Sequence, residues 1–228
     1  MKSLLNIVDL NLRDFNSILE YSESLNIKNE KLLHNKNIGL IFEKNSTRTR
    51  LSFQVGINQL GGDYIDIKLD ELNLKRFESL EDTFEIMACY LDCLIFRTTN
   101  HKKLEIAQKF FKKPIINALS DMSHPCQAIS DIFTLKEHFG GVDNLKIVWM
   151  GDINNVLFSL IETLEFLNNT KVFVFTDKDI HTKHQTIIEN NQNVSVFYDI
   201  DFDILKSANC IMTDVYNFFY IILFSTIN

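Results

Sequence analysis

The chain has 228 residues, 46% of them hydrophobic, a net charge of −7 and four cysteines. That length holds one large domain or two small ones around a sizeable core. The acidic balance shows no basic stripe of the kind nucleic-acid binders carry, so a charged ligand has to be a small anion met by local cations. No window reaches the ~18 apolar residues of a membrane span. Asp9 and Arg13 interrupt the short apolar start, so no secretory signal is expected. Cys89, Cys93, Cys126 and Cys210 form neither a CxxC pair nor a zinc-ligand spacing. They read as buried reduced thiols, which suits a cytoplasmic protein.

Asn11, three residues before Asp14, predicts an N-cap and a helix through Phe15, Ile18 and Leu19. Residues 37–43 (NIGLIFE) predict a buried strand. Residues 47–60 predict a helix with Leu51 and Val55 on one face and Phe53, Ile57 and Leu60 beside it, stopped by Gly61-Gly62. Then come a short strand at 64–67, a helix at 80–90, a strand at 93–97 (CLIFR), a helix at 104–111 and a strand at 114–119. An amphipathic helix at 124–139 ends on Gly140-Gly141. The second half repeats the scheme: strand 145–150, helix 155–167, strand 171–176, a polar helix near 181–190, and strands at 194–198 and 210–215. Continuous apolar strands separated by helices predict an α/β fold with parallel sheets covered on both faces. We expect two lobes, each a mainly parallel sheet flanked by helices, over residues 1–140 and 141–228, the second lobe incomplete. Ligands of such sheets bind outside the carboxyl ends of the strands, so the cleft between the lobes is the expected site.

Four strings stand at those strand ends. Phe42 to Arg50 reads FEKNSTRTR. Here a strand ends, and hydroxyls and guanidinium groups gather at a helix start. Backbone N–H groups and the positive end of the helix dipole favour an anion there, and Arg offers a fork for phosphate. The bland reading is an N-cap followed by surface arginines. Arg97 closes an apolar strand and needs an anionic partner if buried; otherwise it is a surface residue. His124-Pro125-Cys126-Gln127 opens a helix, with Ser123 a candidate cap. His124 and Gln127 share a face and can reach one ligand, although a histidine at a helix start is also a common structural residue. Met150-Gly151-Asp152-Ile153-Asn154-Asn155 lacks the later glycines of GxGxxG, which argues against a nucleotide cofactor. Its asparagines serve as caps or as contacts for a zwitterion.

Taken together, these strings resemble the transcarbamoylase family, on its ornithine side. FEKNSTRTR is similar to the family's phosphate-binding signature. HPCQ is similar to its second signature, with Cys126 closer to the ornithine enzymes than to the aspartate enzymes. GDINN resembles the ornithine enzymes' GDxNN turn, and TDVY (213–216) the start of their amino-acid loop. The segment ESLEDT (78–83) also fits. The resemblance runs from about residue 6 to residue 216, most specifically in the first half. It implies transfer of the carbamoyl group from carbamoyl phosphate to L-ornithine, giving citrulline and phosphate, with no metal and no cofactor. By the same resemblance Ser46, Thr47, Arg48 and Thr49 hold the phosphate. Arg97 bridges phosphate and carbonyl oxygen, His124 binds that oxygen, and Gln127 binds the carbamoyl nitrogen. Thr49, Arg97 and His124 stabilise the charge that develops on the oxygen. Asn155 and Asp214 hold ornithine's α-carboxylate and α-amino groups. Family members resemble trimers, so a homotrimer is expected, with no nucleic-acid or membrane partner.

The likeness stops after Tyr216. A Ser-Met-Gly turn is expected next, but the residues are Asn217-Phe218-Phe219-Tyr220, and no His-Cys-Leu-Pro segment follows. Ile153 stands where the family often has Gly. Residues 217–228 turn abruptly β-prone, apolar and uncharged, which favours a truncated or frame-shifted tail over a shortened paralogue or a buried last strand. The expectation is an intact carbamoyl phosphate half-site and an ornithine half-site that lacks partners, hence binding with reduced turnover. A non-catalytic carbamoyl phosphate-binding remnant, or a carbamoyltransferase with another amine acceptor, are the alternatives.

Overall fold

Helix α1 (Leu12–Ser24) begins where its sequence says it should: the Asn11 side chain accepts a hydrogen bond from the Asp14 N–H. It belongs to a computed structural model that describes residues 3–25, 30–72, 78–178, 188 and 191–214. After it, strand and helix alternate. Strands β1 (Asn37–Phe42), β2 (Asp63–Ile67), β3 (Cys93–Arg97) and β4 (Ile115–Leu119) form a parallel sheet in the order β2-β1-β3-β4. Helices α2 (Arg48–Gln59), α3 (Leu80–Tyr90) and α4 (His101–Phe111) make the crossovers, and α5 (Pro125–Phe139) follows β4. In the second sheet β5 (Lys146–Met150), β6 (Lys171–Phe175), β7 (Val194–Phe197) and β8 (Cys210–Met212) are parallel in the order β7-β6-β5-β8. Helix α6 (Asn155–Thr163) leads out of β5, and α7 (Phe202–Ser207) precedes β8.

Alternation along the first sheet buries both faces, as the apolar strands predicted. Ile38, Leu40 and Ile95 pack on one side with Ile57 of α2. Ile41, Leu94 and Phe96 pack on the other with Phe84, Leu104 and Phe111. The largest cluster joins α1 (Phe15, Leu19) and α5 (Ile132, Leu135) to β5, β6 and α6 around the buried Trp149. Helix α5 therefore leaves the first sheet and packs against the second, which puts its N-terminus at the seam. Gly140 ends it at φ +73°, a left-handed cap that a side chain would strain.

Strand order fixes where a ligand can go. In the first sheet the chain moves one way from β1 to β2 and the other way to β3, so a crevice opens between the carboxyl ends of β1 and β3. The second sheet has its crevice between β5 and β8. Residues 43–48 and Arg97 leave the first pair, and the GDINN turn and Asp214 leave the second.

Several expectations shift in detail. The second helix starts at Arg48 rather than Thr47, and Leu51 and Val55 on its apolar face are half exposed while Ile57 is buried. The helix read over 155–167 stops at Thr163 and finishes as a 3-10 turn, Leu164–Phe166. The short helix α7 went unread, because Asp201 caps it within only six residues and little periodicity can show. The last strand is shorter than expected. All four thiols are free, but Cys89 is exposed and only the other three are partly buried. Apart from the buried Ile188, the polar helix near 181–190 lies outside the described residues, as does the tail from 215 onward.

Candidate functional site

The two crevices face each other across one cleft of about 1720 Å³. Every residue to which the resemblance assigns a ligand contact lines it: Ser46, Thr47, Arg48, Thr49, Arg97, His124, Gln127, Asn155 and Asp214. On the first wall, the loop after β1 carries the hydroxyls to the start of α2. Thr47 is the N-cap residue, yet its side chain caps nothing, which leaves its hydroxyl for the cleft. Glu43 anchors this loop. Its carboxylate accepts from the Thr98 hydroxyl (2.5 Å) and pairs with Lys103 (2.5 Å), while its N–H donates to the Arg97 carbonyl (3.0 Å). Arg50 belongs elsewhere. It pairs with Asp66 at 2.9 Å and does not line the cleft, so the anion cradle spans Ser46 to Thr49.

Arg97 and His124 are the two groups on this wall whose polarity is not yet met. The Arg97 Nε and His124 Nδ1 are buried, and neither has a hydrogen-bond partner among the described residues. Burial lowers the Arg97 pKa from its ordinary value, though not out of the cationic range at neutral pH. Burial, and next the nearby Arg97 charge, push the His124 imidazole down to about 4, so it is neutral at pH 7. Buried polar atoms without partners are rare and costly, and a pair of them facing one cleft marks a place prepared for a ligand.

The helix start that presents His124 is built differently from the sequence reading. Ser123 does not cap it. His124 occupies the cap position, with Pro125 in the first turn. The His124 N–H donates to the Ser159 hydroxyl of α6 (2.8 Å), and Ser159 also meets the Ser123 hydroxyl (3.0 Å). The preceding turn is tightly held. Leu119 lies at φ +148°, a conformation side chains rarely adopt, which costs about 1–3 kcal/mol. The Asn117 side chain accepts from its N–H (3.0 Å), and its carbonyl accepts from the Thr98 N–H (2.9 Å). Ser120 then hydrogen-bonds the His101 ring at 2.7 Å. Gln127, one turn into α5, donates from Nε2 to Asp131 at 2.8 Å.

The second wall is polar but already satisfied. Gly151 turns the chain at φ +143° and its N–H donates to the Phe175 carbonyl (3.1 Å). Asn154 caps α6 through Oδ1, accepting from the Val156 and Leu157 N–H groups, and its Nδ2 donates to Asp214 at 2.9 Å. Asn155 donates across the seam to the Ser120 carbonyl at 2.5 Å. Among the described residues no lysine or arginine lines this wall; the cations described in the cleft, Lys44, Arg48 and Arg97, come from the first lobe.

Ser120, Asp131 and Ser159 were missed from sequence. Asp131 left a signal, a carboxylate one helical turn beyond Gln127 on the same face. Ser120 and Ser159 left none, because their contacts depend on how α5 meets α6. Among the described residues no helix is long and apolar enough to cross a membrane.

The comparisons with known proteins agree with this geometry. The carbamoyl-P binding domain of aspartate/ornithine carbamoyltransferase matches residues 2–137. An ornithine carbamoyltransferase of Methanosphaera stadtmanae is 37% identical over 232 residues, covering 95% of this chain and 74% of that protein. One of Agrobacterium fabrum is 38% identical over 189 residues, covering 82% of this chain and 62% of that protein. Among solved structures, ornithine carbamoyltransferase from Pyrococcus furiosus superposes with a TM-score of 0.85 at 33% identity, covering 95% of this chain and 72% of its own. With two parallel-sheet lobes, a cleft at both switch points and these matches, the chain belongs to the aspartate/ornithine carbamoyltransferase family.

Proposed function

We propose that this protein transfers the carbamoyl group of carbamoyl phosphate to the side-chain amine of L-ornithine, giving L-citrulline and phosphate. In this reading residues 1–140 hold carbamoyl phosphate and residues 141–228 present ornithine. The observation that carries it is the pair of unmet buried nitrogens, Arg97 Nε and His124 Nδ1, beside the hydroxyl-rich start of α2. Ser46, Thr47, Arg48 and Thr49 take the phosphate. Arg97 spans phosphate and carbonyl oxygen, His124 meets that oxygen, and Gln127 takes the carbamoyl nitrogen.

The chemistry follows from those groups. Attack by the neutral amine forms a C–N bond and places negative charge on the carbamoyl oxygen, where Thr49, Arg97 and His124 stabilise it. A neutral His124 does this as a hydrogen-bond donor and adds no second cation beside Arg97. As the oxyanion collapses, the C–O bond to phosphate breaks. Phosphate leaves as an anion neutralised by the arginines and takes up the proton that the attacking nitrogen gives up. The free amine, with a pKa of about 10.4, is rarely neutral at pH 7, so holding it in line with the carbon supplies much of the rate.

The second wall favours ornithine over aspartate. Asn155 meets the α-carboxylate and Asp214 the α-ammonium. A wall whose described residues offer a carboxylate and no cation repels the extra carboxylate that aspartate carries. Incubation with labelled carbamoyl phosphate and, separately, ornithine, putrescine or aspartate tests this. Labelled citrulline is expected from ornithine alone, and carbamoyl aspartate as the main product would overturn the assignment. The reading extends to a homotrimer in the cytoplasm. The half-exposed Leu51 and Val55 on α2, which a partner subunit would cover, support self-association, and sedimentation checks its stoichiometry.

A further inference from the structure

The proposed site leaves unused a carboxylate that touches one of its own residues. Asp131 sits on α5, lines the cleft, and accepts a hydrogen bond from Gln127 Nε2 at 2.8 Å. A Gln–Asp pair four residues apart is, by itself, a common contact along a helix. Its chemistry here is more specific. A carboxamide has two ends of opposite character, and rotation by 180° exchanges a donor for an acceptor at little cost. The carbamoyl group of the donor substrate ends in NH2, which can only donate. Gln127 recognises it only if Oε1 faces the cleft and Nε2 faces away. A methyl ketone or ester of the same shape offers no donor and gains nothing from Oε1.

We propose that Asp131 is the positioning residue that fixes this orientation, so that Gln127 reads the carbamoyl NH2 and the site selects carbamoyl phosphate over acyl phosphates of equal size. A carboxylate only accepts, so it holds Nε2 and repels Oε1. The flipped amide would set two acceptors against each other at 2.8 Å. Burial, the largest influence, pushes the Asp131 carboxyl up to about 6, which still leaves it ionised at pH 7 and above. Asp131 lies one turn deeper along α5 than Gln127 and is half-buried, so Gln127 meets the substrate first.

This inference rests on Gln127 contacting the carbamoyl nitrogen, and the experiment separates the two. Phosphonoacetamide and acetonylphosphonate share a phosphonate and a carbonyl and differ only in NH2 against CH3. Calorimetry on the full chain gives the ratio of their affinities. The wild-type protein is expected to prefer phosphonoacetamide about tenfold, the scale of one neutral hydrogen bond. Asp131→Ala is expected to bring the ratio close to one while the affinity for acetonylphosphonate stays unchanged, which also shows that the fold and phosphate cradle survive. Asp131→Leu, of similar volume and unable to accept, is the second variant should alanine destabilise α5. Asp131→Asn is isosteric but can turn either end of its own amide toward Gln127, so it is expected to lose most of the preference while the packing survives, which a purely structural contact would not predict. Gln127→Ala is the reference. If Gln127→Ala loses the preference and both Asp131→Ala and Asp131→Leu keep it, the positioning role is overturned while the reading of Gln127 stands. If Gln127→Ala keeps the preference, the reading of Gln127 falls and this inference falls with it.

Discussion

The two walls of the cleft are both polar, but they are prepared for ligands in opposite ways. On the first wall Arg97 and His124 hold buried nitrogens that no described residue satisfies. On the second, Asn154 is bonded to Asp214, and Asn155 to the Ser120 carbonyl. The first wall therefore gains hydrogen bonds when an anion arrives, whereas the second must give up the ones it has. Binding to a preorganised wall costs little rearrangement; binding to a self-satisfied wall costs the contacts it replaces. On the proposed function, this difference predicts an order of events, with carbamoyl phosphate bound first and the amino acid second.

The sharpest way to break that comparison is to remove the first wall's unmet donor. Arg97→Ala should lower citrulline formation about 10²–10³-fold, the scale of losing one oxyanion donor. Arg97→Lys should recover little of it, since the ammonium lacks the planar fork. Turnover of Arg97→Ala within threefold of wild type would remove Arg97 from the mechanism. On the second wall, Asp214→Ala should raise the half-saturating ornithine concentration about 10–100-fold, as expected for a hydrogen bond to a charged group. Carbamoyl phosphate affinity, read by calorimetry, should not change. A parallel loss of both affinities would mean the walls are not separable.

The seam between the lobes gives a smaller, pH-dependent effect. The Glu162 carboxylate on α6 accepts from the Ile7 N–H at 3.1 Å, and burial is the main cause that pushes it up to about 7. A carboxyl raised above its unfolded value contributes stability below about 4.5 and loses it as pH rises through about 7. Glu162→Gln keeps an acceptor and removes the buried charge. It should raise the unfolding free energy by about 1–2 kcal/mol at pH 8 and leave it unchanged at pH 4, measured by denaturant titration. An equal change at both pH values would contradict the titration. Smallest of all, Arg50→Ala should alter carbamoyl phosphate affinity by less than about threefold, because its partner is the half-exposed Asp66. A loss comparable to that of Arg97→Ala would return Arg50 to the cradle.

The first wall was the more legible of the two. FEKNSTRTR, Arg97 and HPCQ each lie within one strand-to-helix junction, and local rules place such residues at carboxyl ends of strands. Even there the reading overreached at Arg50, one residue past Thr49, where the helix turns the guanidinium toward Asp66 on β2 instead of the cleft. The cap was misread for a similar reason. Ser123 looks like a cap in sequence, but Ser159, 36 residues on, engages its hydroxyl. On the second wall Asn155 and Asp214 were found, and their existing partners were not, since Asn154 and Asp214 are 60 residues apart.

By itself the sequence determined the alternation of strands and helices, their parallel character and the identity of the residues at the strand ends. Those depend on local periodicity, capping and glycine stops, which act over a few residues. Only the tertiary structure decided which of those residues face one another, which polar atoms remain unmet, and that α5 crosses from one sheet to pack on the other. These depend on strand order and on α5 meeting α6, long-range outcomes of burying apolar faces whose energy is spread over both lobes and is written in no single motif.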